Sequence, residues 1–354
     1  MSATPYLSIV SFARNDTYTP TYRLRADRSL QYLVRQLERH RVPTEIVIVE
    51  WNPPSEKPLL ADELSAPPGS GYVTLRYISV DSQYHKRFEG WEHRGIHGSA
   101  AANVGLRRSR GRFVLFKHID TYLAEPLAGW LSKQQTRNDA IYRCDRVDIR
   151  MDGDDWVDLP DDRIIGEFSR HIVGRQGRLS HSEDWKIRDL HTNASGDFML
   201  MAAEKWAAIR GFPHDPTVLC LDADSIALHA AAAHGAHEIC LPDDCVVYKL
   251  THGSTYVART RTVWRGWQQK LDRYLVEKKK RDLAARLRIL LDYPRRRVVG
   301  VESILAPSIE RLFVSRAERF ARNDTSLTTN DKNWGLAGVT LPEKIVTRAV
   351  WDTP

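Results

Sequence analysis

No run of about 18 apolar residues occurs in the chain, so a membrane-spanning helix is excluded. The opening residues, MSATPYLSIVSF, lack the basic segment that precedes a secretory apolar core, and they are expected to form a strand rather than a targeting peptide. Cysteine is scarce. Cys144, Cys220, Cys240 and Cys245 show no Cys-x-x-Cys spacing, which argues against a zinc ribbon or a disulfide scaffold and fits a reducing cytoplasm. Neither a Gly-x-Gly-x-x-Gly fingerprint nor a Walker loop is present in the first half, and no internal repeat is visible.

What is present suits a large globular core: 354 residues, 42% apolar and 27% charged. The balance of 52 basic against 45 acidic residues leaves a net charge of +7. Such a surface favours anionic partners, and nucleotide phosphates, nucleic acid and anionic lipid all fit that description.

The stretch His97 to Asp120, HGSAAANVGLRRSRGRFVLFKHID, organises the rest. Ser99 to Arg108 reads as a small-residue helix, Gly111 punctuates the turn, and Phe113, Val114, Leu115 and Phe116 read as a buried strand. Lys117, His118 and Asp120 follow where hydrophobicity stops. Ionisable groups at the end of a buried strand are how an open α/β sheet presents chemistry, because ligands collect at the carboxyl ends of its strands. The competing reading of Asp120 is a turn or cap residue.

Upstream, Tyr6 to Phe12 reads as a strand that runs into the polar loop Ala13-Arg14-Asn15-Asp16. Residues 27 to 41 carry Leu30, Leu33, Val34 and Leu37 at helical spacing, with Asp27 as the expected cap. Glu45 to Val49 is a second buried strand, ending in Glu50, Trp51 and Asn52. A strand, a helix and a strand in that order form a right-handed crossover with parallel strands, so Asn15, Asp16, Glu50 and Asn52 are expected on one rim. A third strand, Tyr72 to Val80, leads into a basic and aromatic loop with Tyr84, His85, Lys86, Arg87 and Arg94, long enough to cover a diphosphate.

These elements resemble the nucleotide-binding half of a GT-A glycosyltransferase of the family-2 type. The resemblance implies an α/β fold of GT-A class, Rossmann-like, with a mostly parallel sheet flanked by helices. It implies a nucleotide-sugar donor, with Ala13, Arg14, Asn15, Glu50, Arg94, Asn103 and Lys117 on the donor side, Glu50 at the base, and a lean to UDP. In that family the strand after the Asn-x-Gly helix, here Asn103 and Gly105, ends in an Asp-x-Asp metal motif. Asp120 takes its last position, but His118 stands where the family has Asp or Asn. His118 is then a metal ligand or a phosphate donor, and Mn²⁺ or Mg²⁺ is the implied cofactor, held by Asp120, His118 and His252.

The second half is less regular. Asp139 to Arg150 alternates like one strand, Met151 to Asp162 reads as a solvated acidic hairpin tip, and residues 163 to 190 show little period and suit a lid or an acceptor loop. In HTNASGDFMLMAAEKWAAIRGF, Gly196 and Asp197 precede the strand Phe198 to Ala202, and the helix Glu204 to Ile209 stops at Gly211. By resemblance Gly196 lies under the donor sugar and Asp197 faces the sugar or the acceptor; equally, Asp197 caps a turn. Leu221 to Gly235 is an apolar helix with Asp222 and Asp224 at its front, where acids also serve as caps. The resemblance makes this pair the catalytic base, Asp224 first and Asp222 second. After a strand at His237 to Leu241, a last strand carries Tyr248 and Lys249, which are within reach of a phosphate, and ends at His252, by resemblance a residue that closes the metal site or touches the diphosphate and otherwise an ordinary polar residue.

Residues 255 to 354 change character. Trp264, Trp267, Leu271, Tyr274 and Leu275 make an apolar stripe among basic runs, so residues 264–297 either lie on an anionic membrane surface or pack on the catalytic domain. The final segment is expected to wrap back over the first domain. The implied organisation is a GT-A domain over 1–254, divided into a nucleotide-binding half (1–120) and an acceptor and catalytic half (121–254), followed by a helical extension and C-terminal wrap over 255–354.

The implied reaction moves a hexosyl or N-acetylhexosaminyl group from a nucleotide diphosphate sugar to a hydroxyl on a saccharide, a lipid-linked acceptor or a small natural product, with inversion. The expected setting is cytoplasmic, with no nucleic-acid partner. Two rival classes are a nucleotidyltransferase, which would carry a glycine-rich basic loop where SFARNDTY has no glycine, and a basic nucleic-acid binder whose affinity falls steeply with salt.

Overall fold

The computed structural model describes residues 4–16, 21–65, 71–88, 91–93, 95–151, 153, 156–177, 190–214, 223–251, 319–320 and 325–352. The apolar runs of the first half form β1 (Leu7–Ala13), β2 (Thr44–Trp51), β3 (Val73–Val80) and β4 (Phe113–Phe116). These strands pair in parallel in the order β3-β2-β1-β4, with Glu50 beside Ala13 and Ser79. The connection from β1 to β2 is α1 (Tyr22–Arg39), so the parallel crossover unit expected from the sequence is present. The helix starts before Asp27, which is therefore not its cap; Asp27 lies one turn inside and accepts from the Ser65 N–H and the Gln31 amide.

Alternate strand residues feed the two faces of the sheet. Leu7, Ile9, Ile46 and Ile48 pack with Leu30, Leu33, Val34 and Leu37 of α1, while Val10, Val47 and Val49 pack under α4 (Gly98–Arg108). The residues of α4 are small because it lies close to the sheet: a Cβ on Gly105 would come within 2.5 Å of the Val10 side chain. Three antiparallel pairings complete the sheet. The antiparallel β9 (Met199–Ala202) joins β4 to β6 (Ala140–Arg143), β10 (His237–Cys240) runs parallel at one edge, and β12 (Glu343–Thr347) closes the other against β3. The result is a mixed α/β fold, a large and mostly parallel sheet with helices on both faces.

Residues 139–150 are not one strand. The chain breaks at Cys144 and Asp145, and Arg146–Ile149 becomes β7 of a second, four-stranded sheet with β5 (Thr121–Leu123), β8 (Ile172–Gln176) and β11 (Val247–Leu250), in the order β5-β11-β7-β8. The acidic segment is not simply a solvated tip either. Asp152 and Asp154 lie outside the described residues, but Trp156 is buried, and Asp161 opens an unexpected helix, α6 (Asp161–Arg170). Asp161 is held by Arg28 at 2.8 Å and Arg35 at 2.6 Å, which ties α6 to α1.

The expected boundary at 254/255 and the basic stripe at 264–297 fall outside the described residues. In the last segment the carbonyls of Gly335, Leu336 and Val339 accept from the Arg108 guanidinium, and Trp334 is buried in the face covered by α4. Among the described residues no helix is long and apolar enough to cross a membrane.

Candidate functional site

The candidate residues gather at the carboxyl ends of β1, β2 and β4. Glu50, the last residue but one of β2, is buried, and its carboxylate accepts the Leu60 N–H at 2.8 Å. Burial pushes its carboxyl up to about 7, against the lowering effect of the Leu60 and Asn15 N–H groups. A raised folded pKa means that its favourable contribution to stability is complete below the usual 4.5 and is lost as pH rises through about 7. Thermal stability is therefore expected to fall across that interval by on the order of 2 kcal/mol, and Glu50→Gln should flatten the fall. Melting curves in a pH series check this; equal slopes for the two proteins would refute it.

The neighbouring loop is self-braced. Arg14 donates to the Asn52 carbonyl at 2.6 Å and pairs with Asp16 at 2.9 Å, the Asn15 amide donates to the Pro58 carbonyl, and Asn52 donates to the Gly95 carbonyl. Asn15, Asp16, Glu50 and Asn52 thus share one rim. Ala13 lies at its base, in register with Glu50.

At the end of β4 the residues divide by depth. Lys117 is under the rim, 1% exposed, and burial pushes its ammonium down to about 7 against the pull of Asp120 and Asp197. The His118 side chain is 34% exposed. Its Nδ1 lies 2.7 Å from Asp197 Oδ1, which fixes Nδ1 as the protonated nitrogen, since two acceptors would repel at that distance.

Asp197 follows Gly196 in the turn before β9, and its side chain is only 2% exposed. Lys249 Nζ is 2.8 Å from the same Oδ1, and Arg146 Nη1 is 2.5 Å from Oδ2. Burial would raise this carboxyl, but Lys249, His118 and Arg146 overcome it and hold it well below the usual carboxylate range. Asp197 therefore does not face a sugar or acceptor. It is the hub on which three basic side chains converge.

Asp120 is also buried. Burial raises it, and Lys249, His118 and Arg25 together bring it below its ordinary value. Lys249 reaches this cluster because β11 runs antiparallel to β5, with Lys249 opposite Thr121, the residue after Asp120.

The helix α8 (Ala223–Ala233) delivers Asp224 to the same place. Its Oδ2 accepts the Gly196 N–H at 2.6 Å, and its Oδ1 accepts the Ser225 N–H at 2.9 Å. A Cβ on Gly196 would lie 3.1 Å from Asp224 Oδ2 and 3.5 Å from His118 Cε1, so Gly196 separates the base candidate from the imidazole by little more than one atom. Each Asp224 oxygen keeps a second lone pair.

Asn103 does not bond to this cluster. It is fully buried, its amide donates to the Phe212 carbonyl and meets His214 Nδ1, and its carbonyl accepts the Phe212 N–H. Both ends are spent on the turn after α7 (Ala203–Ile209), where Arg210 and Gly211 take positive φ. Its role is to hold that turn. Arg94, Asp222 and His252 lie outside the described residues. Arg25 and Arg146 enter the site unannounced by the sequence, since nothing local distinguishes them from surface arginines.

The expected divalent ion fits the described residues poorly. Among them no three His, Cys, Asp or Glu side chains converge as metal ligands. His118 turns Nδ1 to Asp197, and an ammonium already stands between the acids.

No family model and no curated protein matches the sequence. Solved structures do. The mannosyltransferase PcManGT of Pyrobaculum calidifontis, in complex with GDP-Man and Mn²⁺, is 16% identical over 91% of this chain and 74% of its own, with a TM-score of 0.41. S. aureus TarS 1-349, in complex with UDP-GlcNAc, is 12% identical over 70% of this chain and 59% of its own, with a TM-score of 0.42. A second TarS structure is 11% identical over 69% of this chain and 36% of its own, with a TM-score of 0.38. The similarity is one of architecture, and the order and direction of the chain's own strands establish the fold independently of it.

Proposed function

We propose that the chain is a glycosyltransferase that moves a sugar from a nucleoside diphosphate to an acceptor hydroxyl with inversion. What supports this reading most is the convergence of Asp224, Gly196 and His118 beside the carboxyl end of β4, a carboxylate next to a cationic cluster. In this reading the base stacks in the part of the crevice headed by Glu50, which hydrogen-bonds it and favours uracil. The diphosphate lies over His118 and Lys249.

The acceptor oxygen attacks the anomeric carbon from the Asp224 side. A carbon–oxygen bond forms, the bond to the diphosphate breaks with its electron pair going to the diphosphate, and the hydroxyl proton passes to Asp224. That proton is lost late, so an ordinary carboxylate suffices. Asp222 is the alternative base.

A thermal-shift screen of UDP-, GDP- and dTDP-sugars against oligonucleotides tests the reading. Stabilisation by a nucleotide sugar and not by oligonucleotides is expected. The reverse, with a steep loss of binding in salt, would replace it with a nucleic-acid binder.

A further inference from the structure

Breaking a sugar–diphosphate bond requires positive charge where the leaving oxygens develop theirs, and that charge must be in place before the reaction. Lys249 meets this requirement by position. Its Nζ lies 2.8 Å from Asp197 Oδ1 and 3.1 Å from His118 Nδ1, and it is fixed on a paired strand rather than a loop. An ammonium has three donors, and the contact with Asp197 uses one. The side chain keeps 16% of its surface exposed beside the open face of His118, while Asp197 beneath it is sealed.

Arg146 occupies the other oxygen of Asp197 and also pairs with Asp148 at 2.8 Å. Asp197 is thus satisfied from three sides, and among the described residues no three His, Cys, Asp or Glu side chains converge on an added cation.

We infer that Lys249 is the fixed cation that neutralises the leaving diphosphate, in place of a divalent metal ion. The inference rests on the glycosyl-transfer reading above. The negative charge released on the diphosphate is received by the Lys249 ammonium and the exposed edge of His118, with Asp197 anchoring both. No proton needs to move to the diphosphate.

The test is calorimetric binding of UDP, GDP and uridine to the full chain, each in EDTA and in Mn²⁺, with Lys249→Met and Lys249→Arg beside the parent protein. One diphosphate should bind equally well in EDTA and Mn²⁺. Lys249→Met should weaken that binding about tenfold or more, with uridine affinity unchanged where UDP is the ligand, and Lys249→Arg should recover most of the loss. The EDTA comparison needs no variant, so poor folding of Lys249→Met cannot rescue the idea. Diphosphate binding that requires Mn²⁺, or Lys249→Met binding that matches the parent, would overturn the role of Lys249 and leave glycosyl transfer standing. If neither UDP nor GDP binds the parent protein in either buffer, the glycosyl-transfer reading falls and takes this inference with it.

Discussion

Asp224→Asn is expected to lower turnover by roughly 10²- to 10⁴-fold, the range that loss of a positioned base produces, while affinity for the nucleoside diphosphate is kept. The substitution is nearly isosteric. Its amide oxygen can still accept one of the two N–H groups now bound by the carboxylate, from Gly196 or Ser225, and its NH₂ must face the other. The expected cost to stability is about 1–2 kcal/mol, too little to unfold the protein. Kinetics with saturating nucleotide sugar, paired with calorimetric binding of the diphosphate, separate the two effects. Near-normal turnover would remove Asp224 from the role, and loss in Asp222→Asn alone would transfer it there.

The second large effect concerns the fold. Glu45 is completely buried in β2, where its carboxylate accepts from Ser8 Oγ, the Arg110 N–H and Arg76 Nη1. Arg76, on β3 and 3% exposed, also grips Glu343 of β12 through Nε at 2.8 Å and Nη2 at 3.0 Å. One guanidinium thus neutralises a core carboxylate and fastens the C-terminal strand to the sheet edge. Arg76→Met leaves Glu45 charged and short of its counter-ion, and is expected to destabilise the protein by about 3–5 kcal/mol. The melting temperature should then fall by roughly 5–10 °C. Adding Glu45→Gln should recover part of that loss, because the unpaired charge is what costs most. Calorimetry on the two single variants and the double one decides the matter; additive losses would show that the pair is not coupled.

Much of the scaffold was legible in the residues. The buried strands at 7–13, 44–51, 73–80 and 113–116 and the helices at 98–108 and 223–233 each carry a local apolar pattern, and the parallel crossover follows from their order. The small sheet was not legible. Its strands are three to five residues long, and β7 continues from β6 after a break of two residues that alternation alone does not reveal. The helix α6 was hidden for a related reason: only Ile164 and Phe168 bury fully, and its start is fixed by arginines on α1 about 130 residues earlier.

The site divides along the same line. Glu50, His118 and Asp120 could be named as candidates because each sits where an apolar run gives way to polar residues, a boundary written in a few neighbouring positions, whereas Gly196 and Asp224 were named by the family resemblance. That Asp197 is a buried hub rather than a contact, that Asn103 is spent on a turn, and that Lys249 stands among the acids were decided only by tertiary structure. Hydrophobic periodicity acts over a handful of residues, so the sequence by itself determined the elements and their order. Which charge neutralises which depends on strand register between segments some 50 to 130 residues apart, here β11 against β5 and the 195–197 turn against β4, and that register exists only in the folded chain.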